Sequence, residues 1–184
     1  IAFILESADD MTVVGEAGDG WQTVEGVQRS RPDVVLMDIR MPGMGGLELT
    51  RKIKSINADT AVLVLTIHES EMYLMEALRA GASGYLVKDS PQMLLYHAIN
   101  VAAKGGVVIR GSILQRAIQT VLRTPRETQK DRPGSSVPHR LTERDLSILG
   151  MVSQGYANKE MASKLNLAEV TVKKYLQGIF VKLG

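Results

Sequence analysis

The sequence predicts two modules, an α/β domain built on a parallel sheet and then a small all-helical domain. Three runs rich in Val and Leu, Val34–Met37, Ala61–Leu65 and Gly84–Val87, are continuous rather than alternating, as strands buried on both faces are. Segments of helical period, Leu47–Ile56, Glu71–Ala80 and Pro91–Ala103, lie between and after them, and strands alternating with helices imply βαβ units. Charge is also split along the 184 residues. Positions 1–104 hold 9 Lys and Arg against 14 Asp and Glu, and positions 105–184 hold 13 against 6, so a net charge of only +2 conceals an acidic half and a basic half. That asymmetry points to a second module that meets a polyanion. Part of the excess is a connector, since residues 105–140 alone carry 7 basic and 2 acidic side chains.

Composition removes whole classes of function. Hydrophobic residues make 45% of the chain and charged residues 23%, which is ordinary globular usage. No stretch reaches the roughly 18 apolar residues that span a bilayer, and IAFILESADD lacks the basic start and cleavage site of a signal peptide. The expectation is a cytoplasmic protein with no membrane partner. Zero cysteines exclude disulfides, thiol catalysis and Cys-ligated metals, and three dispersed histidines (His68, His97, His139) argue against a histidine-based metal site.

Taken in order, Ile1–Ser7 is helical, Met11–Val14 reads as a short strand, and a helix runs from about Gly20 to Arg29. The three long runs then end in Asp38, Thr66 and Lys88, at spacings of 28 and 22 residues that allow one crossover each. Ligands of open parallel sheets bind beyond the carboxyl ends of the strands. An acid, a hydroxyl and an ammonium therefore gather on one edge. A carboxylate can serve as a nucleophile and form an aspartyl phosphate, and a hydroxyl and a lysine can then bind phosphoryl oxygens. A hard cation such as Mg²⁺ would be needed to neutralise the developing charge. Singly, each has an ordinary role: a turn cap, a turn hydroxyl, a surface charge.

Asp38-Ile-Arg-Met-Pro42 through Gly46, Val64-Leu-Thr66, and Gly81-Ala-Ser-Gly-Tyr-Leu-Val-Lys88 resemble a bacterial response-regulator receiver domain across nearly all of residues 1–104. The resemblance implies a flavodoxin-like sheet, with Asp38 as phosphoacceptor, Thr66 as switch hydroxyl, Lys88 as phosphate-binding lysine and Tyr85 as the aromatic that responds to phosphorylation. It further implies that Asp38 and the backbone carbonyl of Arg40 ligate Mg²⁺, while the side chains of Arg40 and His68 tune phosphoryl lifetime. The family's metal-binding acidic pair has no counterpart here, because Asp9-Asp10 precedes the Met11 segment where a turn belongs. The expectation is that the first strand and part of the first helix lie outside these residues.

Residues 105–140 are expected to be a helix followed by a linker. Ile113, Leu114, Ala117, Ile118, Val121 and Leu122 recur at helical spacing, and residues 124–140 hold three of the six prolines with no apolar period. In residues 141–184, Thr142 caps a helix with Asp145 three residues on. Leu146, Leu149 and Val152 form its inner face and Gly155 ends it. Asn158 starts a second helix with Met161, Ala162 and Leu165 inward. A third carries Val172, Leu176, Ile179 and Leu183 inward and Glu169, Val170, Lys173, Lys174 and Gln177 outward. Two short helices with a tight turn describe a helix-turn-helix.

Leu141-Thr-Glu-Arg144, Gly155 through Ala162, and Thr171-Val-Lys173 through Gly184 resemble the LuxR/NarL-type DNA-binding domain. By that likeness Lys173, Lys174 and Gln177 face bases or nearby phosphates, and Asn158, Lys159 and Thr171 meet the backbone. Ala168 stands where a capping Ser or Thr is common and Tyr175 replaces a common His. The family's fourth helix, which usually forms the dimer contact, is expected beyond Gly184. The whole resembles a NarL/FixJ-type regulator, which implies a sensor histidine kinase, promoter DNA and a homodimer on phosphorylation. Two other readings stand beside it: a receiver that acts without phosphorylation, and an aspartyl-phosphate hydrolase. Against the latter, Asp38-Ile-Arg40 lacks a second acid two residues on.

Overall fold

The computed structural model describes residues 2–5, 7–123 and 141–183. Four parallel strands, β1 (Val34–Asp38), β2 (Ala61–Thr66), β3 (Gly84–Val87) and β4 (Val108–Ile109), lie side by side in chain order. Asp38 pairs with Leu65 and Thr66 with Val87, so the carboxyl ends of the strands form one edge. Every residue of β2 is buried, and alternation still sorts its side chains. Val62 packs with Val27 of α2 (Gly20–Ser30) and with Leu49 and Ile53 of α3 (Gly46–Ile56). Val64, on the same face, meets α4 (Glu71–Arg79), while Leu63 and Leu65 meet Ala98 and Ala102 of α5 (Gln92–Ala103) on the other.

Each helix has a local cause. The Asp19 carboxylate accepts the Gln22 N–H at the start of α2, and Ser70 Oγ accepts the Tyr73 N–H at the start of α4. The N-terminal helix α1 (Ala2–Leu5) is tied to α5, where the Tyr96 hydroxyl donates to the Ile4 carbonyl at 2.6 Å.

Two expectations about strands are corrected. Met11–Val14 is not a strand, and Val14 is 56% exposed. A strand exists only with a hydrogen-bonded neighbour, and no described residue pairs with this segment or with the outer edge of β1. β4, conversely, escaped the sequence reading because it is two residues long, too short to register as an apolar run.

After β4 comes α6 (Gly111–Arg123). Ile113, Leu114 and Ala117 of the expected stripe are buried and Ile118 is partly so; the side chains of Val121 and Leu122 and all of residues 124–140 lie outside the described set. The C-terminal domain is α7 (Glu143–Ser153), α8 (Asn158–Leu165) and α9 (Glu169–Leu183). Asn166, at φ 54°, ends α8 in the left-handed region and allows the tight turn into α9. Val172, Leu176 and Ile179 are buried as expected, and the Leu183 side chain lies outside the described set. The inner face of α7 is shifted. Leu146 is 36% exposed and Ile148 is buried in its stead, because Asp145 turns inward. Its carboxylate accepts the Thr142 N–H and the Lys182 ammonium, both at 2.7 Å, while Thr142 Oγ1 accepts the Asp145 N–H. This capping box is therefore also the tie between α7 and the end of α9.

Two predictions follow from these contacts. A Cβ at Gly46 would lie 1.9 Å from the Asp38 carbonyl oxygen, a backbone atom that cannot step aside. Gly46→Ala should cost about 3 kcal/mol in urea unfolding. Asp145 is 3% exposed, and burial alone would raise its carboxyl pKa, but Lys182 and the Thr142 bonds hold it below the usual carboxylate range. A depressed folded pKa stabilises above the ordinary value of about 4 and is lost as pH falls through the lower, folded value. Asp145→Asn should therefore cost about 2 kcal/mol at neutral pH, and its gap from the parent protein should close as urea melts are taken below about pH 4.

Candidate phosphoryl-acceptor site and nucleic-acid interface

Asp38 ends β1 opposite Leu65, Thr66 ends β2 one residue further on, and Lys88 follows the last residue of β3 with its N–H donating to the Thr66 carbonyl at 2.7 Å, so all three stand at one sheet edge. Lys88 Nζ lies 2.5 Å from Asp38 Oδ2, and the Arg40 N–H donates to Oδ1 at 3.1 Å. Both side chains of the ion pair are 33% exposed, so the carboxylate is held but reachable. Burial pushes the Asp38 pKa up, and the Lys88 hydrogen bond, the Arg40 N–H and both cations together push it further down, so it ends below the ordinary range. The carboxylate is thus fully ionised at neutral pH. Thr66 is 7% exposed and its hydroxyl donates to the His68 carbonyl at 2.9 Å.

Tyr85, one strand over, is 2% exposed. Its hydroxyl is buried without a partner in hydrogen-bond geometry, and burial pushes its pKa up. Thr66 and the Ser70 backbone act on it in the opposite sense, which puts the ring beneath the β2–α4 connection. Arg40 and His68 are both exposed on the loops that follow Asp38 and Thr66.

The helix-turn-helix residues divide. Lys159, Lys174 and Gln177 are exposed, while Thr171 and Lys173 are half-buried. Asn158 is 3% exposed and does not present a free surface. Its Nδ2 donates to the Gly105 carbonyl at 2.7 Å, and its Oδ1 is buried without a partner. Lys173 lies against the same glycine, where a Cβ would meet its Nζ at 3.1 Å. It also faces Lys54 of α3. Burial first, and then the Lys173 charge, push the Lys54 ammonium pKa down. Lys54 compensates by donating to the Thr60 and Ala58 carbonyls at 2.7 and 3.1 Å. α9 thus turns part of its outward face toward α4 and the α5–β4 connection.

Sequence reasoning missed one cluster near the site. Glu69 Oε1 lies 3.1 Å from Arg110 Nε, Glu69 Oε2 lies 3.4 Å from Arg116 Nη2, and Glu71 Oε1 lies 2.5 Å from Arg116 Nε. These are surface charges more than forty positions apart, and no local spacing announces them.

The family model described as a response regulator receiver domain matches residues 1–100, and that of the bacterial regulatory proteins, luxR family, matches residues 139–184. The transcriptional regulatory protein DegU of Brevibacillus brevis is 34% identical over 189 residues, covering 98% of this chain and 80% of its own length. The oxygen regulatory protein NreC of Staphylococcus carnosus is 36% identical over 185 residues, covering 100% and 84%. Among solved structures, ChrA, a response regulator of a heme-sensing two-component system, aligns with a TM-score of 0.52 and 34% identity over 95% of this chain and 78% of that one. A structure of two RcsB dimers bound to two parallel DNAs aligns with a TM-score of 0.58 over 98% and 83%, and at 22% identity it shares the fold. With a parallel-sheet receiver and a helix-turn-helix of this kind in one chain, the protein belongs to the LuxR-type response regulators, the transcriptional regulators of two-component systems.

Proposed function

We propose that Asp38 accepts a phosphoryl group from a sensor histidine kinase and that this modification controls promoter binding by the C-terminal domain. The observation that carries the reading is the convergence of Asp38, Lys88 and Thr66 on one sheet edge. The ionised Asp38 oxygen attacks phosphorus as the phosphohistidine P–N bond breaks, and the electron pair of that bond leaves with the kinase imidazole. Lys88, already 2.5 Å from the carboxylate, neutralises the added charge as a compact cation. Thr66 exchanges its bond to the His68 carbonyl for one to a phosphoryl oxygen, and Tyr85 follows into the space it leaves. Arg40 and His68, exposed at the mouth, govern how readily water reaches the acyl phosphate.

Receiver domains generally bind Mg²⁺ for this step. The Asp38 carboxylate and Arg40 carbonyl are hard oxygen donors of the right kind. Among the described residues, however, no group of three His, Asp or Glu surrounds them, so the donor set falls short of a cage.

On the DNA side, Lys174, Gln177 and Lys173 read the major groove, and Lys159, Thr171 and Asn158 hold phosphates. Asn158 and Lys173 are occupied by the Gly105 connection in this conformation, so binding requires that the domains part. RcsB is seen as dimers on DNA, and two half-sites on one operator call for the same here.

Acetyl phosphate with Mg²⁺ should add the mass of one phosphoryl group, and Asp38→Asn should abolish the gain. Promoter affinity should rise about 5- to 150-fold on phosphorylation, and Thr66→Ala should accept phosphate but lose most of that rise. Unchanged mass would overturn the phosphorylation reading. Gln177→Ala should cost about 1–3 kcal/mol at one base position, whereas Lys159→Ala should weaken all sequences alike and lower the salt slope by about one. Binding titrations at several salt concentrations separate the two.

A further inference from the structure

The connection from β2 to α4 is four residues, Ile67–Ser70, and Thr66 grips its middle through the His68 carbonyl. The next side chain, Glu69, is only 20% exposed and lies between two arginines, Arg110 just before α6 and Arg116 on its second turn. Glu71, in the first turn of α4, accepts from Nε of the same Arg116 guanidinium. Among the described residues these are the ion pairs that join the switch loop to α6. The buried face of α6, Ile113, Leu114 and Ala117, fills the space between α4 (Leu74, Leu78) and α7 (Ile148, Leu149, Val152). Whatever holds α6 to the start of α4 therefore also holds the DNA-binding domain to the receiver.

We infer that Glu69, supported by Glu71, is the ionic latch that keeps α6 on α4, and that the switch acts on the domain interface through it. The phosphorylation part rests on the function proposed above; the latch itself does not. When Thr66 gives up the His68 carbonyl for a phosphoryl oxygen, the four-residue loop loses that tether and shifts. Glu69, one residue beyond the gripped carbonyl, then leaves the fork between Arg110 and Arg116. Ion pairs of this kind depend on heavy-atom separations near 3 Å, and a displacement of an ångström or two exchanges them for hydration. Arg116 is left with Glu71 alone, and α6 is free to leave with α7 and α9. Each pair is partly exposed and individually weak, which suits a latch that must open.

The chain has no cysteine, so Met93→Cys on α5 and Val170→Cys on α9, at sites 76% and 61% exposed, can carry a nitroxide pair for electron–electron distance measurements on the whole protein. The unphosphorylated parent should give one closed distance. Glu69→Gln and Arg116→Gln should each raise the open population about fivefold or more. The double variant should open further than either, because Glu69→Gln spares the Glu71–Arg116 pair and Arg116→Gln spares the Glu69–Arg110 pair, but by less than the two effects combined, because both lose the Glu69–Arg116 contact. Arg116→Lys should recover part of the closed population. Glu76→Gln, which removes the same charge from α4 at a side chain with no ion pair among the described residues, should change nothing. Unchanged melting midpoints show that a variant has opened rather than unfolded. If acetyl phosphate with Mg²⁺ opens the parent while Glu69→Gln and Arg116→Gln leave the closed distance intact, the latch is overturned and the phosphorylation reading stands. If those variants open and phosphorylation does not, the latch stands and that reading fails.

Discussion

The apolar stripe of α6 is the physical link on which the two domains of this protein turn, with α9 packed directly on α4 beside it. Ile113 and Leu114 are fully buried, and they touch the receiver on one side and the DNA-binding domain on the other, so the two domains share one continuous core. The burial of apolar side chains is the largest favourable term available to such an interface. Being non-directional, it holds the helix in place without specifying when it should let go. Direction comes from the polar groups of the interface. Glu69 and Glu71 meet Arg110 and Arg116 at α6, and the Asn158 amide meets Gly105 between α8 and the α5–β4 connection.

That division explains which parts were legible in the sequence. β2 and β3 announce themselves because strands buried on both faces must be continuous in Val and Leu, and the residue that ends each run is set by parallel register. Asp38, Thr66 and Lys88 could therefore be grouped from spacing alone. The capping box at Thr142 and Asp145 was legible for a similar reason, since its two bonds span three residues. The second partner of Asp145, Lys182, was not, and it is what turned Asp145 inward and displaced Leu146 to the surface.

Contacts between distant surface residues stayed hidden because they arise from the docking of whole elements. Glu69 with Arg116, Asn158 with Gly105, and Lys54 against Lys173 are all of this type. The helix-turn-helix pattern identified a face that would suit DNA. It could not show that the same face is half covered by the receiver, because periodicity records which side of a helix is polar and not what lies against it. The Met11–Val14 segment illustrates the same limit for strands, whose existence depends on a neighbour that composition does not supply.

The interface also carries built-in faults, and their number is informative. Asn158 Oδ1 is buried with no partner, which costs about 1–3 kcal/mol. The Lys173 charge adds to burial in pushing the Lys54 ammonium pKa down, so two like charges act on one another across the interface. Both faults vanish when the domains part and these groups are hydrated. An interface optimised for stability alone would have removed them. A switch cannot afford that, because moving a two-state equilibrium from 1:99 to 99:1 requires about 5.5 kcal/mol of differential interaction, more than typical couplings of 1–3 kcal/mol between sites supply. Under the function proposed above, the closed state is only slightly favoured, so that one phosphoryl group at Asp38 can reverse it. Strong apolar burial at α6, offset by an orphaned amide oxygen and a lysine pair, is a physical route to that near-balance.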